Sequence, residues 1–277
     1  MTSHALDQYR AFGIPFDIGV LTNVSHEHLD YHKTYKNYVN VKSRLLTMAK
    51  VAILNSDDES YKLIVNILPK TKKVLTYGTA DTSTVNFKNF TFKTNLIGEF
   101  NKYNILAAVL VCQNLGLTDE EIKKSISTFK APIGRQEIVY DKEFTVMIDF
   151  AHTPNAFTSL LPGVKKIAKR RVIHVFGSAG RRDASKRSLM GKESSKLADV
   201  IILTSEDSRG EPVLNITNEI ENGIKNSELL KKEMRLFVIE DRRHAIDAAI
   251  KMAQSGDVVL ITGKGHEKSM NMGNHEE

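Results

Sequence analysis

VIHVFGSAGRRDASKR, residues 172–187, is the stretch whose reading decides the fold. An apolar run reads as a buried strand, two glycines break it, and a basic polar run opens a helix. The same unit recurs on both sides. Strands read at Thr145–Phe150, Arg171–Phe176, Val200–Thr204, Leu236–Ile239 and Val258–Thr262, and helices near Asn155–Ala168, Lys186–Leu197, Asn218–Lys225 and Arg243–Gln254. Repeated βα units of this kind predict an α/β fold with a parallel, doubly wound sheet.

Upstream the pattern is less regular. Met1 to Gly13 reads as a helix and its exit, followed by strands at Phe16–Thr22, Val51–Asn55 and Lys73–Tyr77 and helices at Tyr35–Met48 and Glu59–Leu68. Residues 82–100 alternate polar and apolar and predict short antiparallel strands. An apolar helix over Asn101–Leu115 ends at Gly116, and Thr118 with Glu121 has the spacing of a capping box. Ala131-Pro132-Ile133-Gly134 is the expected hinge, which divides the chain into domains 1–133 and 134–277.

Composition narrows the classes. At 277 residues, 41% hydrophobic and 26% charged, the chain has the balance of a soluble globular protein. Its apolar runs are too short to span a bilayer, and no membrane role is expected. The single cysteine, Cys112, excludes an intramolecular disulfide framework and fits a reducing cytoplasm. A net charge of +6 suits anionic partners. Scattered lysines and the absence of nucleic-acid motifs favour phosphorylated metabolites over nucleic acid.

Several motifs ask for chemistry. NVSHEHLDYHKTYKNYVNVK, Asn23 to Lys42, places three histidines and two acids within seven residues behind an apolar strand. Alternate imidazole and carboxylate suit a metal site, while a polar loop is the plainer alternative. The loop after Phe176 is neither GxGxxG nor a phosphate loop of the GxxxxGK[ST] type, yet Arg181, Arg182, Lys186 and Arg187 suit an anion. GKGHE, Gly263 to Glu267, offers close backbone approach and charge at a strand end, and a surface turn explains it equally well. IDFAHTPNA, Ile148 to Ala156, puts Asp149 and His152 at another strand end, where Asp149 could also simply cap a helix.

Taken in order, TSHALDQYR, NVSHEHLDYH, YVNVK, GEFNKYNILAA, GRQE, IDFAHTPNA, VFGSAGRRDASKR, TSEDSRGEP and GKGHE resemble the motif sequence of the Mur ligases over nearly the whole chain. Within that family the resemblance is to the ligases that add the diamino acid of the peptidoglycan stem peptide. It implies part of the central ATPase domain followed by a Rossmann-like C-terminal domain. The implied activity is an ATP- and Mg²⁺-dependent amide ligase. A carboxylate of UDP-N-acetylmuramoyl-L-Ala-D-Glu would become an acyl phosphate, and the amine of a diamino acid, meso-diaminopimelate first, would attack it.

The resemblance also implies residue roles. His28 would ligate Mg²⁺, and Lys42 would act as a carbamate beside it. Asn101, Asn104, Arg135, Asp149 and His152 would face the nucleotide. Thr2, Gln8 and Arg10 would contact the UDP-muramoyl dipeptide. Arg182, Glu206, Asp207, Arg209, Gly263 and Glu267 would grip the diamino acid.

The departures carry expectations of their own. The family's phosphate loop and a catalytic glutamate precede the HALDQYR-like segment, so the resemblance implies a missing N-terminal portion and little activity for these residues alone. Residues 1–133 are then expected to be the less stable part. Glu206-Asp207-Ser208-Arg209 stands where the diaminopimelate type has Asp-Asn-Pro-Arg; Arg209 favours an acceptor with a distal carboxylate, while the loss of Asn and Pro weakens that reading. The competing readings are a catalytically silent nucleotide-binding module, which the missing loop supports, and a folylpolyglutamate-type ligase, which HALDQYR and GKGHE oppose.

Overall fold

The computed structural model describes residues 1–24, 29–227, 233–273 and 275–276, without the side chains of Leu29 and Asp30. It divides into two compact units, Met1–Asn95 with Phe100–Phe129, and Leu96–Glu99 with Lys130–Glu277.

In chain order the first unit runs α1 (Ser3–Asp7), β1 (Phe16–Leu21), α2 (Leu29–His32), α3 (Tyr35–Met48), β2 (Ala49–Asn55), α4 (Tyr61–Ile67), β3 (Lys73–Gly78), β4 (Val85–Asn86), α5 (Glu99–Asn114) and α6 (Asp119–Thr128). Its four strands lie in sequence order and are all parallel. The helix α3 starts where Thr34 accepts the Asn37 N–H, and it buries Tyr38, Val39 and Leu46 against Ala52 and Leu54 of β2. The capping box of Thr118 and Glu121 is present at α6, and Gly116 takes a left-handed φ of +88° behind α5.

The antiparallel strands expected over residues 82–100 do not form. Only Val85–Asn86 pairs, and it runs parallel to β3. The cause is local: Asn89 accepts the Asn86 N–H at 2.8 Å, while Asn86 accepts the N–H groups of Lys88 and Asn89. Those side chains take the backbone donors a ladder would use.

The second unit contains β5 (Glu137–Asp141), β6 (Thr145–Asp149), α7 (Pro154–Ile167), β7 (Val172–Phe176), α8 (Ser185–Leu197), β8 (Val200–Leu203), α9 (Val213–Lys225), β9 (Arg235–Val238), α10 (Arg242–Met252) and β10 (Val258–Thr262). The strand order is β5-β6-β10-β7-β8-β9, parallel except for β5, an antiparallel edge that the βα alternation did not foretell. Every residue of β7, β8 and β10 is buried, as expected of strands covered on both faces.

Alternate residues serve opposite faces. Met147, Phe176, Leu203 and Leu260 pack with Phe157 and Leu161 of α7, Met190 of α8 and Ile220 of α9. Ile173, Val175, Ile202 and Val259 pack with Ala245 and Ala249 of α10. Right-handed crossovers place α10 opposite the other three, because β10 returns to a position between β6 and β7. α9 starts five residues before the expected Asn218. Pro212 opens it, and Ile216, Ile220 and Ile224 give it one buried face.

Candidate functional site

The C-terminal ends of β6, β7, β8 and β10 gather most of the charged groups singled out in the second unit. This is where open α/β sheets bind ligands. At the end of β6, Asp149 accepts two backbone N–H groups, from Ala151 at 2.7 Å and Gln136 at 2.8 Å. Burial pushes its carboxyl up from the usual carboxylate range, against the pull of those donors and of Arg135. The Arg135 guanidinium lies over the Phe150 ring at 4.2 Å. His152 stands edge-on to the same ring, with Nδ1 2.9 Å from the Phe150 carbonyl, and its own carbonyl accepts Lys186 Nζ at 2.9 Å. Gly134 and Gly265 approach so closely that a Cβ on Gly134 would lie 2.4 Å from the Gly265 carbonyl carbon. The GRQE and GKGHE segments are therefore neighbours.

Beyond β8, Glu206 is buried and Oε2 has no hydrogen-bond partner among the described residues. Burial pushes its carboxyl up, opposed by Lys186, Arg242 and His152. Gly263, at φ +97°, faces it: a Cβ there would sit 2.5 Å from Glu206 Oε2. The buried Ser178 hydroxyl, two residues past β7, likewise has no partner among the described residues.

Asp207 Oδ1 accepts Lys264 Nζ at 2.9 Å and the Asn271 N–H at 3.1 Å, while Oδ2 lies 3.4 Å from Arg209 Nη2. Burial pushes Asp207 up, but these donors outweigh it and hold the carboxyl below the usual range. Glu267 accepts the Gly265 N–H at 2.9 Å. The structure thus brings Glu206, Asp207, Arg209 and Gly263 together, and exposed Arg182 lies on the loop after β7, which packs on the same segment through the Gly180 N–H and the Asp207 carbonyl at 2.8 Å.

Two arginines support this end of the sheet and carried no sequence signal as supports. Arg187 bridges Glu211 and Glu219, and buried Arg242 donates to the carbonyls of Thr262 at 2.9 Å and Ser205 at 3.3 Å. Their partners lie 20 to 37 residues away, beyond the reach of any local pattern.

In the first unit the expected residues are more scattered. Thr2 caps α1 by accepting the Ala5 N–H, and Gln8 and Arg10 are exposed just beyond it. Asn104 Nδ2 lies 3.3 Å from Asn101 Oδ1 on α5. Lys42 is half-buried on α3 with its ammonium 5.4 Å from the Tyr38 ring centroid. His32 is buried, bonded to Ser3 Oγ at 2.9 Å and stacked on Tyr38, a position that ties α2 to its neighbours. His26, Glu27 and His28 lie outside the described residues. Among the described residues no group of three His, Cys, Asp or Glu side chains suits a metal ion. The Mg²⁺ expectation therefore stands on His28 and a modified Lys42. Cys112 is half-buried on α5. No described helix is long and apolar enough to cross a membrane.

Two family models match the chain. Residues 1–112 match the Mur ligase middle domain, and residues 134–265 match the Mur ligase glutamate ligase domain. The chain is 40% identical over 285 residues to the UDP-N-acetylmuramoyl-L-alanyl-D-glutamate–2,6-diaminopimelate ligase of Aquifex aeolicus, covering 96% of this chain and 57% of that protein. It is 37% identical over 302 residues to the UDP-N-acetylmuramyl-tripeptide synthetase of Borreliella afzelii, covering 99% and 59%. A solved diaminopimelate ligase of the same description superposes with a TM-score of 0.62 at 31% identity, over 100% of this chain and 61% of the other. A pseudomurein peptide ligase from Methanothermus fervidus shares the fold at a TM-score of 0.68 and 20% identity, over 92% and 62%. The chain thus spans less than two thirds of these relatives.

Proposed function

This chain belongs to the Mur ligase family, with the family's middle domain and glutamate ligase domain in that order, and we propose that it serves an ATP-dependent amide ligase of peptidoglycan precursor synthesis. The substrates would be UDP-N-acetylmuramoyl-L-Ala-D-Glu and a diamino acid, with meso-diaminopimelate first among them. The observation that carries this reading is the charged cluster of Glu206, Asp207, Arg209 and Lys264 at the ends of β8 and β10. It offers both cationic and anionic groups to a zwitterionic amino acid.

In this reading residues 1–133 form the nucleotide-binding part and residues 134–277 the acceptor part. ATP would convert the dipeptide's terminal carboxylate into an acyl phosphate, releasing ADP. The acceptor amine would attack the carbonyl carbon, phosphate would leave with the bonding electrons, and the ammonium would give up a proton. Mg²⁺ would offset phosphate charge. His28 and the carbamate of a modified Lys42 would hold it.

This chain's own residues would orient the reactants. Asn101 and Asn104 would face the base, and Arg135, Asp149 and His152 the rest of the nucleotide. Thr2, Gln8 and Arg10 would meet the UDP-muramoyl dipeptide. Arg182, Arg209, Gly263 and Glu267 would hold the acceptor, with Glu206 and Asp207 beside them. A reaction between two soluble precursors would run in the cytoplasm, which the single cysteine also suits.

Two measurements test the reading. ADP release by these residues alone should be slight, what there is should require both the UDP-muramoyl dipeptide and the diamino acid, and release indifferent to either would overturn it. Isothermal titration with meso-diaminopimelate should show saturable binding. Folate-type acceptors binding in its place would favour the other ligase class.

A further inference from the structure

Gln136 bonds to two segments that the sequence keeps apart. Its backbone N–H donates to Asp149 Oδ2 at 2.8 Å, and its side-chain Oε1 accepts the Ile97 N–H at 3.3 Å. The residue is buried and holds φ +51°, a left-handed conformation that is strained for glutamine. Strain of this kind persists where the surroundings over-determine it, and it collects at ligand sites. Gly134, at φ +68°, turns the chain on the other side of Arg135, whose guanidinium rests on the Phe150 ring. Ile97 is itself firmly seated, with its side chain packed on the core that holds Phe157 and Leu161. Gly163, inside α7, gives it room: a Cβ there would lie 2.9 Å from Ile97 Cγ2 and 3.2 Å from the Gly98 nitrogen. Glycine is unfavourable in a helix interior, and the close approach of this segment accounts for it. Leu96–Glu99 thus belongs to the second unit, and Glu99 is also the first residue of α5, the helix that carries Asn101 and Asn104.

We propose that Gln136 is a positioning residue for the nucleotide: its backbone N–H and amide oxygen clamp Asp149 to the segment leading into α5, and loss of that clamp weakens nucleotide binding while sparing the acceptor site. Gln136 adjoins Arg135 and bonds Asp149, so it acts through groups that would meet the nucleotide rather than on the nucleotide itself. The Ile97 bond fixes the place from which α5 departs. A side chain without an acceptor at its end leaves the Ile97 N–H without that bond and loosens the left-handed turn that aims Arg135. The acceptor cluster has contacts of its own, those of Asp207 with Lys264 and Asn271. This inference rests on the ligase reading above.

The test is calorimetric titration of the whole chain with ADP and Mg²⁺, and separately with meso-diaminopimelate. Gln136→Met keeps the length of the side chain and removes its acceptor. It should weaken ADP binding by about ten-fold and leave diaminopimelate affinity within about two-fold of wild type. Gln136→Glu restores an acceptor oxygen and should return ADP affinity to within about three-fold of wild type. If Gln136→Met fails to fold, Gln136→Asn replaces it, because asparagine tolerates the left-handed φ and is too short to reach Ile97. Equal losses for both ligands, without rescue by Gln136→Glu, would make the residue merely structural and overturn the proposal. Wild-type ADP affinity in the variant lacking the acceptor also overturns it and leaves the ligase reading standing. A wild type that binds no ADP removes the nucleotide assignment and this inference with it.

Discussion

Arg187 Nη1 lies 2.7 Å from Glu211 Oε1, with the arginine side chain only 2% exposed. The pair joins the first turn of α8 to the loop that leaves β8. Because Nη2 also reaches Glu211 Oε2 at 2.8 Å, the contact is bidentate. Glu219 on α9 completes it at 3.2 Å. The loop carrying Asp207 and Arg209 is thereby tethered to the helix that begins beyond Gly177.

Replacing Arg187 with Met should therefore destabilise the protein. Breaking a buried pair costs about 3–5 kcal/mol, and partial exposure of Glu211 puts the expected loss near the bottom of that range, about 3 kcal/mol. Urea denaturation measures it. The pair should also persist into acid. Arg187 holds the Glu211 carboxyl down at about 2, so its contribution is full above the ordinary glutamate range and is lost as pH falls towards 2. A loss below 1 kcal/mol would mean the pair is incidental.

His174 makes a second stability prediction with the opposite kind of group. It is fully buried on β7 between Ser194 Oγ at 2.8 Å and Thr262 Oγ1 at 2.9 Å. Burial lowers its pKa from 6.5 to about 3, so the folded protein keeps it neutral where the unfolded chain takes up a proton. Its stability term is full above pH 6.5 and falls as pH drops towards 3. Between pH 6.5 and 5 the loss should approach roughly 2 kcal/mol, at 1.36 kcal/mol per unit of pH. His174→Gln should remove that part of the slope, read as the difference between the two urea profiles at pH 7 and pH 5. Parallel profiles would show that His174 does not titrate between the two states.

How much of this was legible in the sequence depends on the range of each interaction. The βα repeats of the second unit, the capping box at Thr118 and the strand ends bearing Asp149, Glu206 and Gly263 followed from local pattern. β5 did not, because an edge strand such as Glu137–Asp141 is half solvated and lacks the apolar run of a central strand. The turn made by Asn86 and Asn89 defeated the alternation read over residues 82–100. The support given by Arg187 and Arg242 was invisible, since their partners come from segments 20 to 37 residues away. Arg182, named with Arg209 as an acceptor contact, is exposed on the loop after β7, and the packing of that loop on the Asp207–Glu211 segment, with the Gly180 N–H on the Asp207 carbonyl at 2.8 Å, could not be read from sequence order.

Gly263 offers a test that joins fold to function. Its φ of +97° is strained for any other residue, and an added Cβ would press on Glu206 Oε2 at 2.5 Å. Gly263→Ala should cost about 1–3 kcal/mol. It should also weaken diamino-acid binding by roughly ten-fold, because Glu206 must move to make room. Thermal denaturation and titration calorimetry read the two effects separately. Lost stability with unchanged acceptor affinity would place Gly263 outside the binding site.

Asp149 tests the nucleotide side without touching the acceptor cluster. Its carboxylate is the common acceptor for Gln136 and Ala151 and so ties the segment entering β5 to the loop leaving β6. Asp149→Ala leaves two backbone N–H groups without that acceptor, at a cost of about 1–3 kcal/mol. Asp149→Asn keeps one acceptor oxygen and should recover part of the stability. If Asp149 also meets the nucleotide, both variants should weaken ADP binding by about ten-fold or more, while diaminopimelate affinity measured without nucleotide stays near wild type. Stability restored in Asp149→Asn together with full ADP affinity would confine Asp149 to a structural role. A matched loss of ADP affinity in both would place its charge at the ligand.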